Sequence, residues 1–66
     1  MNITLNGKPH ALGQDATVSD LVRSLGYEGK RIAVERNGDI VPKSRHAQTA
    51  LNDNDVIEIV VAVGGG

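Results

Sequence analysis

Sixty-six residues carry seven Lys or Arg, eight Asp or Glu and no cysteine, for a formal net charge of −1. That length holds one domain, which buries only about 60% of the surface its unfolded chain exposes, and the lack of cysteine excludes disulfide staples and thiolate metal sites. No basic run interleaved with aromatics points to nucleic acid, and the longest apolar run, residues 59–63, is too short to span a membrane. Polar residues interrupt the first ten positions, unlike a secretory signal, so a small soluble cytoplasmic domain is expected. Its core must be aliphatic, because Tyr27 is the one aromatic.

Residues 1–5 alternate, with Ile3 and Leu5 on one face and Asn2 and Thr4 on the other, the period of a half-buried strand. Asn6-Gly7 readily takes the positive φ angles of a tight hairpin turn. Residues 8–12 then return as a second strand, which Pro9 confines to a sheet edge. Residues 13–16 form a loop, and Thr17 suits a helix N-cap, with Asp20 completing a weaker version of the capping box. Val18, Leu21, Val22 and Leu25 share one helical face, and Gly26 is placed to end the helix after about two turns.

Residues 32–36 predict a third strand, Asn37-Gly38 a second hairpin turn, and residues 39–41 a return strand closed by Pro42. Residues 43–50, KSRHAQTA, have no clear period and are expected as loop with at most a short helical turn, anchored by Leu51. Residues 52–55 are turn chemistry. Residues 56–63 form the last strand, with Ile57, Ile59, Val61 and Val63 on one face and Val56, Glu58, Val60 and Ala62 on the other. Apolar residues on both faces place it at the sheet centre, beside the first strand. Hairpin, helix, hairpin, irregular segment and final strand assemble as an α+β fold, a β-grasp (ubiquitin-like) mixed sheet with one main helix packed across it. The chain so divides into a domain over residues 1–63 and a flexible glycine tail over residues 64–66.

Gly64, Gly65 and Gly66 would project roughly 10 Å past the last strand at about 3.3 Å per residue. With no side chains they can thread a channel too narrow for other residues, carrying a carboxylate that an activating enzyme could convert to a mixed anhydride. The competing reading is an inert, frayed end. Val60 and Ala62, on the face turned from the helix, could dock a partner next to that tail, with Arg36 and Glu35 framing the surface; alternatively, neighbouring sheet side chains cover them. His10 and His46 lack partner ligands at metal or catalytic spacing and are expected at the surface. Asp53 and Asp55 lack the glycine and distal glutamate of a calcium loop and are expected to form and cap the turn.

The opening "ITLNGK", the hairpin "IAVERNGDIVP", the ending "LNDNDVIEIVVAVGGG" and the total length resemble the thiamine-biosynthesis sulfur carrier (ThiS) family over essentially the whole chain. The resemblance implies a protein cosubstrate, itself no enzyme, whose Gly66 carboxylate is adenylated by an E1-like adenylyltransferase using ATP and magnesium. A cysteine desulfurase or other sulfur donor would convert it to a thiocarboxylate, and thiazole synthase would accept the sulfur. The chain itself would bind no cofactor or metal. Gly65 and Gly66 take the place of the family's terminal diglycine, with Gly64 a third glycine. The alternatives are the small subunit of molybdopterin synthase, whose relatives run longer with aromatics before the diglycine, a ubiquitin-like interaction or conjugation module, and a β-grasp scaffold with an inert end.

Overall fold

A computed structural model describes residues 1–62 of the chain. In chain order the elements are β1 (Asn2–Leu5), β2 (Lys8–Ala11), α1 (Val18–Ser24), β3 (Ile32–Arg36), β4 (Asp39–Val41), a 3-10 helix (Lys43–Gln48) and β5 (Val56–Val61). The five strands form one mixed sheet in the order β2-β1-β5-β3-β4. As expected, β5 is central beside β1 and the Pro9 strand is an edge; β5 runs parallel to β1 and antiparallel to β3. This is the β-grasp arrangement.

Local chemistry sets each boundary. Both Asn-Gly pairs have two successive positive φ angles, 49° and 81° at Asn6 and Gly7, 52° and 90° at Asn37 and Gly38. Those are the angles a two-residue hairpin needs to match strand twist. The capping box is complete although its acid is the shorter Asp: Thr17 Oγ1 accepts from the Asp20 N–H at 3.2 Å, and Asp20 Oδ2 accepts from the Thr17 N–H at 2.8 Å. That Thr17 backbone bond is the main reason the Asp20 carboxyl sits below its ordinary pKa. The helix closes on Gly26 at φ +75°, with Gly26 N–H donating to Arg23 O and Tyr27 N–H to Val22 O, both 3.0 Å. This paired return is the Schellman C-cap, whose left-handed residue favours glycine.

The helix lays Val18, Leu21 and Val22 onto Ile3, Val34, Ile57 and Ile59 of the sheet, with Val41 and Leu51 completing the core. Val18, Leu21, Val34 and Ile57 are fully buried. Leu51 is buried as its role of anchor requires, and the segment it anchors is tied to the helix start by Val18 N–H to Thr49 O (3.0 Å) and Leu51 N–H to Ala16 O (2.9 Å).

Three expectations need correction. Residues 43–48 are a six-residue 3-10 helix, longer than one short turn in a loop. His46 within it is buried, because the Val41 carbonyl accepts from its Nε2 at 3.1 Å while the rest of the ring packs beneath the helix; His10 is half-buried. The last strand spans residues 56–61, so Ala62 lies just past it, and Val63 falls outside the described residues. Among the described residues, no helix is long and apolar enough to cross a membrane, and no group of three or more His, Cys, Asp or Glu side chains is placed to hold a metal ion.

Candidate functional site

Gly64, Gly65 and Gly66 lie outside the described residues, so their base is what the structure defines. β5 reaches that base clamped on both sides. On the β3 side the ladder runs from Arg36↔Ile57 to Ile32↔Val61, and the Ala62 N–H continues it by donating to Arg31 O at 2.9 Å. On the β1 side the pairs are Thr4↔Val56 and Leu5↔Ile57. There the strand turns away at Asn6, and its side chain takes over from the backbone. Asn6 Oδ1 accepts from the Ile59 N–H at 2.8 Å, and Asn6 Nδ2 donates to Ile59 O at 3.2 Å.

Asn37, first residue of the other hairpin turn, binds the opposite end of β5. Its N–H donates to Val56 O and its Oδ1 accepts from the Val56 N–H, both at 2.8 Å. Thus both Asn-Gly turns do more than reverse the chain. Their asparagines cap the two unpaired flanks of the strand that leads to the tail. Asn6→Asp isolates this role, since Asp tolerates the same turn angles but cannot donate to Ile59 O. The substitution is expected to lower stability by about 1 kcal/mol in a urea melt with unchanged slope.

Asp55 stands at the entry to β5 and is buried. Its carboxylate accepts from Asn52 N–H (2.8 Å), Arg36 Nε (2.9 Å) and Asn37 Nδ2 (3.1 Å). Burial, the largest influence, pushes its pKa up, but the Asn52, Asn37 and Arg36 donors together outweigh it and hold the carboxyl below its ordinary 3.8. Asp55 does shape the turn as expected, and it also fixes Arg36. Neighbouring Asp53 accepts from Asn2 N–H at 2.7 Å, and Asn54 N–H donates to Asn2 O at 2.7 Å, fastening the turn to β1.

The outer face of the sheet carries Val60 and, across from it, Ala33; Ala62 is exposed beyond the strand end. Val60 is 64% exposed, and Val56 and Ile40 are also open, at 47% and 63%. Side chains of neighbouring strands therefore do not cover this face. Glu35 and Glu58 sit directly opposite each other on it, with Ile40 across from Glu35 on the other side. Two like charges so placed repel, within an apolar surround. Arg36 is not brought to this face. It alternates with Glu35 onto the helix side of the sheet, where Asp55 holds it. Ile40 adds to this face in a way the expected pattern does not include, although its place just after Asn37-Gly38 in a three-residue edge strand signals it.

The geometry finds counterparts among known proteins. The model of the ThiS family matches residues 3–66. The sulfur carrier protein ThiS of Bacillus subtilis is 46% identical over 65 residues, covering 97% of this chain and 98% of that protein. A thiazole synthase of Paramagnetospirillum magneticum is 46% identical over 66 residues, covering all of this chain. The chain spans about a fifth of the length of the thiazole synthases it matches, 20% in that case. The crystal structure of a thiamine biosynthesis protein (ThiS) from Geobacter metallireducens superimposes with a TM-score of 0.84 at 30% identity, covering the whole of both chains.

Proposed function

This chain belongs to the ThiS family, and from that premise we propose that it is the sulfur carrier of thiamine thiazole formation, a cytoplasmic protein cosubstrate with no catalysis of its own. Residues 1–63 form the handle and residues 64–66 the working tail. The carboxylate of Gly66 is activated by an E1-like adenylyltransferase that uses ATP and magnesium: the carboxylate oxygen attacks the α-phosphorus, pyrophosphate leaves, and an acyl-adenylate forms. A persulfide sulfur, supplied through a cysteine desulfurase or another donor, attacks the acyl carbon and expels AMP. Reductive cleavage of the resulting acyl disulfide by a thiol leaves the thiocarboxylate, from which thiazole synthase takes the sulfur. Gly64 and Gly65 carry that carbon through the partner's channel without a side chain to obstruct it.

The reading is supported above all by likeness to a sulfur carrier along its full length, joined to a sheet whose clamped central strand leads to the tail. Incubation with activating enzyme, ATP and a sulfur donor should add the mass of one oxygen-for-sulfur exchange at the C-terminus, read by intact-protein mass spectrometry. Adducts on lysines with no such exchange would assign the chain to conjugation instead, and acceptance of the sulfur by a pterin-synthase large subunit but not thiazole synthase would redirect it to molybdopterin.

The outer face, with Val60 and Ala62 beside the tail and Ile40 and Val56 extending the apolar area, is the proposed docking surface. A partner cation seated over Glu35 and Glu58 would relieve their repulsion. Val60→Thr keeps a β-branched strand former and replaces one exposed methyl by a hydroxyl. It should leave the urea midpoint nearly unchanged and raise the KM of the activating enzyme for this carrier about fivefold, equivalent to about 1 kcal/mol.

A further inference from the structure

Positive charge is gathered where the proposed function does not use it. Arg23, Lys30, Arg31 and Lys43, four of the chain's seven Lys and Arg residues, line one cavity of about 270 Å³ between the end of α1, the following loop and the 3-10 helix. Only Glu28 of its eight Asp and Glu residues lines the same cavity. Arg23 is already engaged, 3.4 Å from Asp20 and 3.6 Å from Glu28. No carboxylate among the described residues lies within 4 Å of Lys30, Arg31 or Lys43. A chain of net charge −1 thus holds, around one concavity, three cations that have no carboxylate partner among the described residues. Like charges held together without a counter-ion repel, and an anion between them removes the repulsion.

The walls are fixed. Tyr27 is held by its N–H bond to Val22 O, and Lys30 N–H donates to Tyr27 O at 3.0 Å across a turn in which Gly29 takes φ +82°. Arg31 is tied through its carbonyl to Ala62 N–H. The floor is apolar, from Val22, Tyr27 and Ile32, and His46 contributes an edge. His46 Nε2 is committed to Val41 O, and no buried side-chain polar atom among the described residues lacks a partner. Its Nδ1 has no hydrogen bond among the described residues and is therefore not fully enclosed by them.

We propose that this groove binds a small organic anion, a phosphate monoester carried on a flat ring. A phosphate monoester brings about −1.5 to −2 charge at neutral pH, which suits three cations better than a single carboxylate does, and Arg31 can grip it through two N–H groups at once. The ring would lie on Tyr27 and the aliphatic floor. The cavity, at about 270 Å³, falls just below the range of about 300–1,000 Å³ for ligand pockets, which limits its occupant to a small molecule.

The test is a titration of the 15N-labelled full chain with phenyl phosphate, with inorganic phosphate and phenol as separated halves of the probe. Saturable amide shifts confined to Val22, Tyr27, Lys30, Arg31, Ile32, Lys43 and His46 are expected, with inorganic phosphate and phenol each at least tenfold weaker. Lys30 and Lys43 are exposed, so the double variant Lys30→Gln/Lys43→Gln should fold normally by circular dichroism and bind at least tenfold more weakly. Undiminished binding by that variant, or shifts scattered over the surface, would overturn the proposal. So would a Glu-Glu dipeptide amide binding these residues more tightly than phenyl phosphate, which would assign the groove to an acidic segment of a partner protein. The readout needs no activating enzyme, so it is independent of the sulfur-carrier reading.

Discussion

Deleting Gly65 and Gly66 together is expected to lower the rate of thiocarboxylate formation by more than about 100-fold, read from the intact mass of the chain over time. The strand ladder fixes the backbone as far as the Ala62 N–H, so tail length sets the reach of the carboxylate from that point. Two residues fewer withdraw it by about 7 Å at roughly 3.3–3.6 Å per residue. A displacement of about 1 Å can already cost 10²-fold when reacting groups must be held in line. Removing Gly66 alone leaves a Gly64-Gly65 end and should cost less. Gly65→Val keeps the length but adds width, and should separate reach from channel fit. An unchanged urea midpoint assigns each loss to the tail and not to the fold. A doubly truncated chain that still gains sulfur at the rate of the full chain would refute the role of these glycines.

The fold was legible where chemistry is local. Two Asn-Gly dipeptides, a Thr17 cap, a glycine after the last helical apolar residue and a run of alternating Ile and Val each demand their structure within a few residues, and each obtained it. The polar stretch KSRHAQTA has no such demand. What buries His46 is a carbonyl at Val41 and the underside of the helix, which only the assembled chain supplies. The asparagines show the same division. Their turn angles could be read from the dipeptide, but Asn6 bonds a strand 53 positions away and Asn37 one 19 away.

The site was legible in a different measure. Apolar residues on both faces of β5 correctly marked it as central. Yet they were a sign of position and not of burial on both sides, since Val56 and Val60 stay open on the outer face. Arg36, adjacent to Glu35 in sequence, does not frame that face with it. Strand alternation alone sends it to the other side, and the Asp55 carboxylate holds it there. The face proposed for docking thus carries Val60, Ile40 and the opposed Glu35 and Glu58. Arg36 belongs instead to the framework that holds β5 in register.

Asp55→Ala tests that framework and is expected to destabilise the chain by about 3 kcal/mol. Removing one member of a buried charge pair costs about 3–5 kcal/mol, and the lower end applies because Arg36 keeps some contact with water. Asn52 N–H and Asn37 Nδ2 lose their acceptor as well. For a domain of this size each 1 kcal/mol moves Tm by roughly 4–8 °C, so a fall of about 12–24 °C should appear by calorimetry. The effect must also depend on pH. The folded-state pKa of Asp55 lies below its ordinary 3.8, so its stabilisation is fully present above about pH 3.8 and is lost as pH falls through the folded value. Asp55→Asn removes the titration while keeping the size. The gap between native chain and Asp55→Asn should therefore be constant from pH 7 to about 5 and shrink below pH 3.8. Asp20, whose pKa is lowered in the same direction, is common to both chains and cancels in the difference. A gap that stays constant down to pH 2 would show that Asp55 acts through shape alone and that the charge-assisted bonds to Arg36, Asn37 and Asn52 contribute nothing to the register of β5.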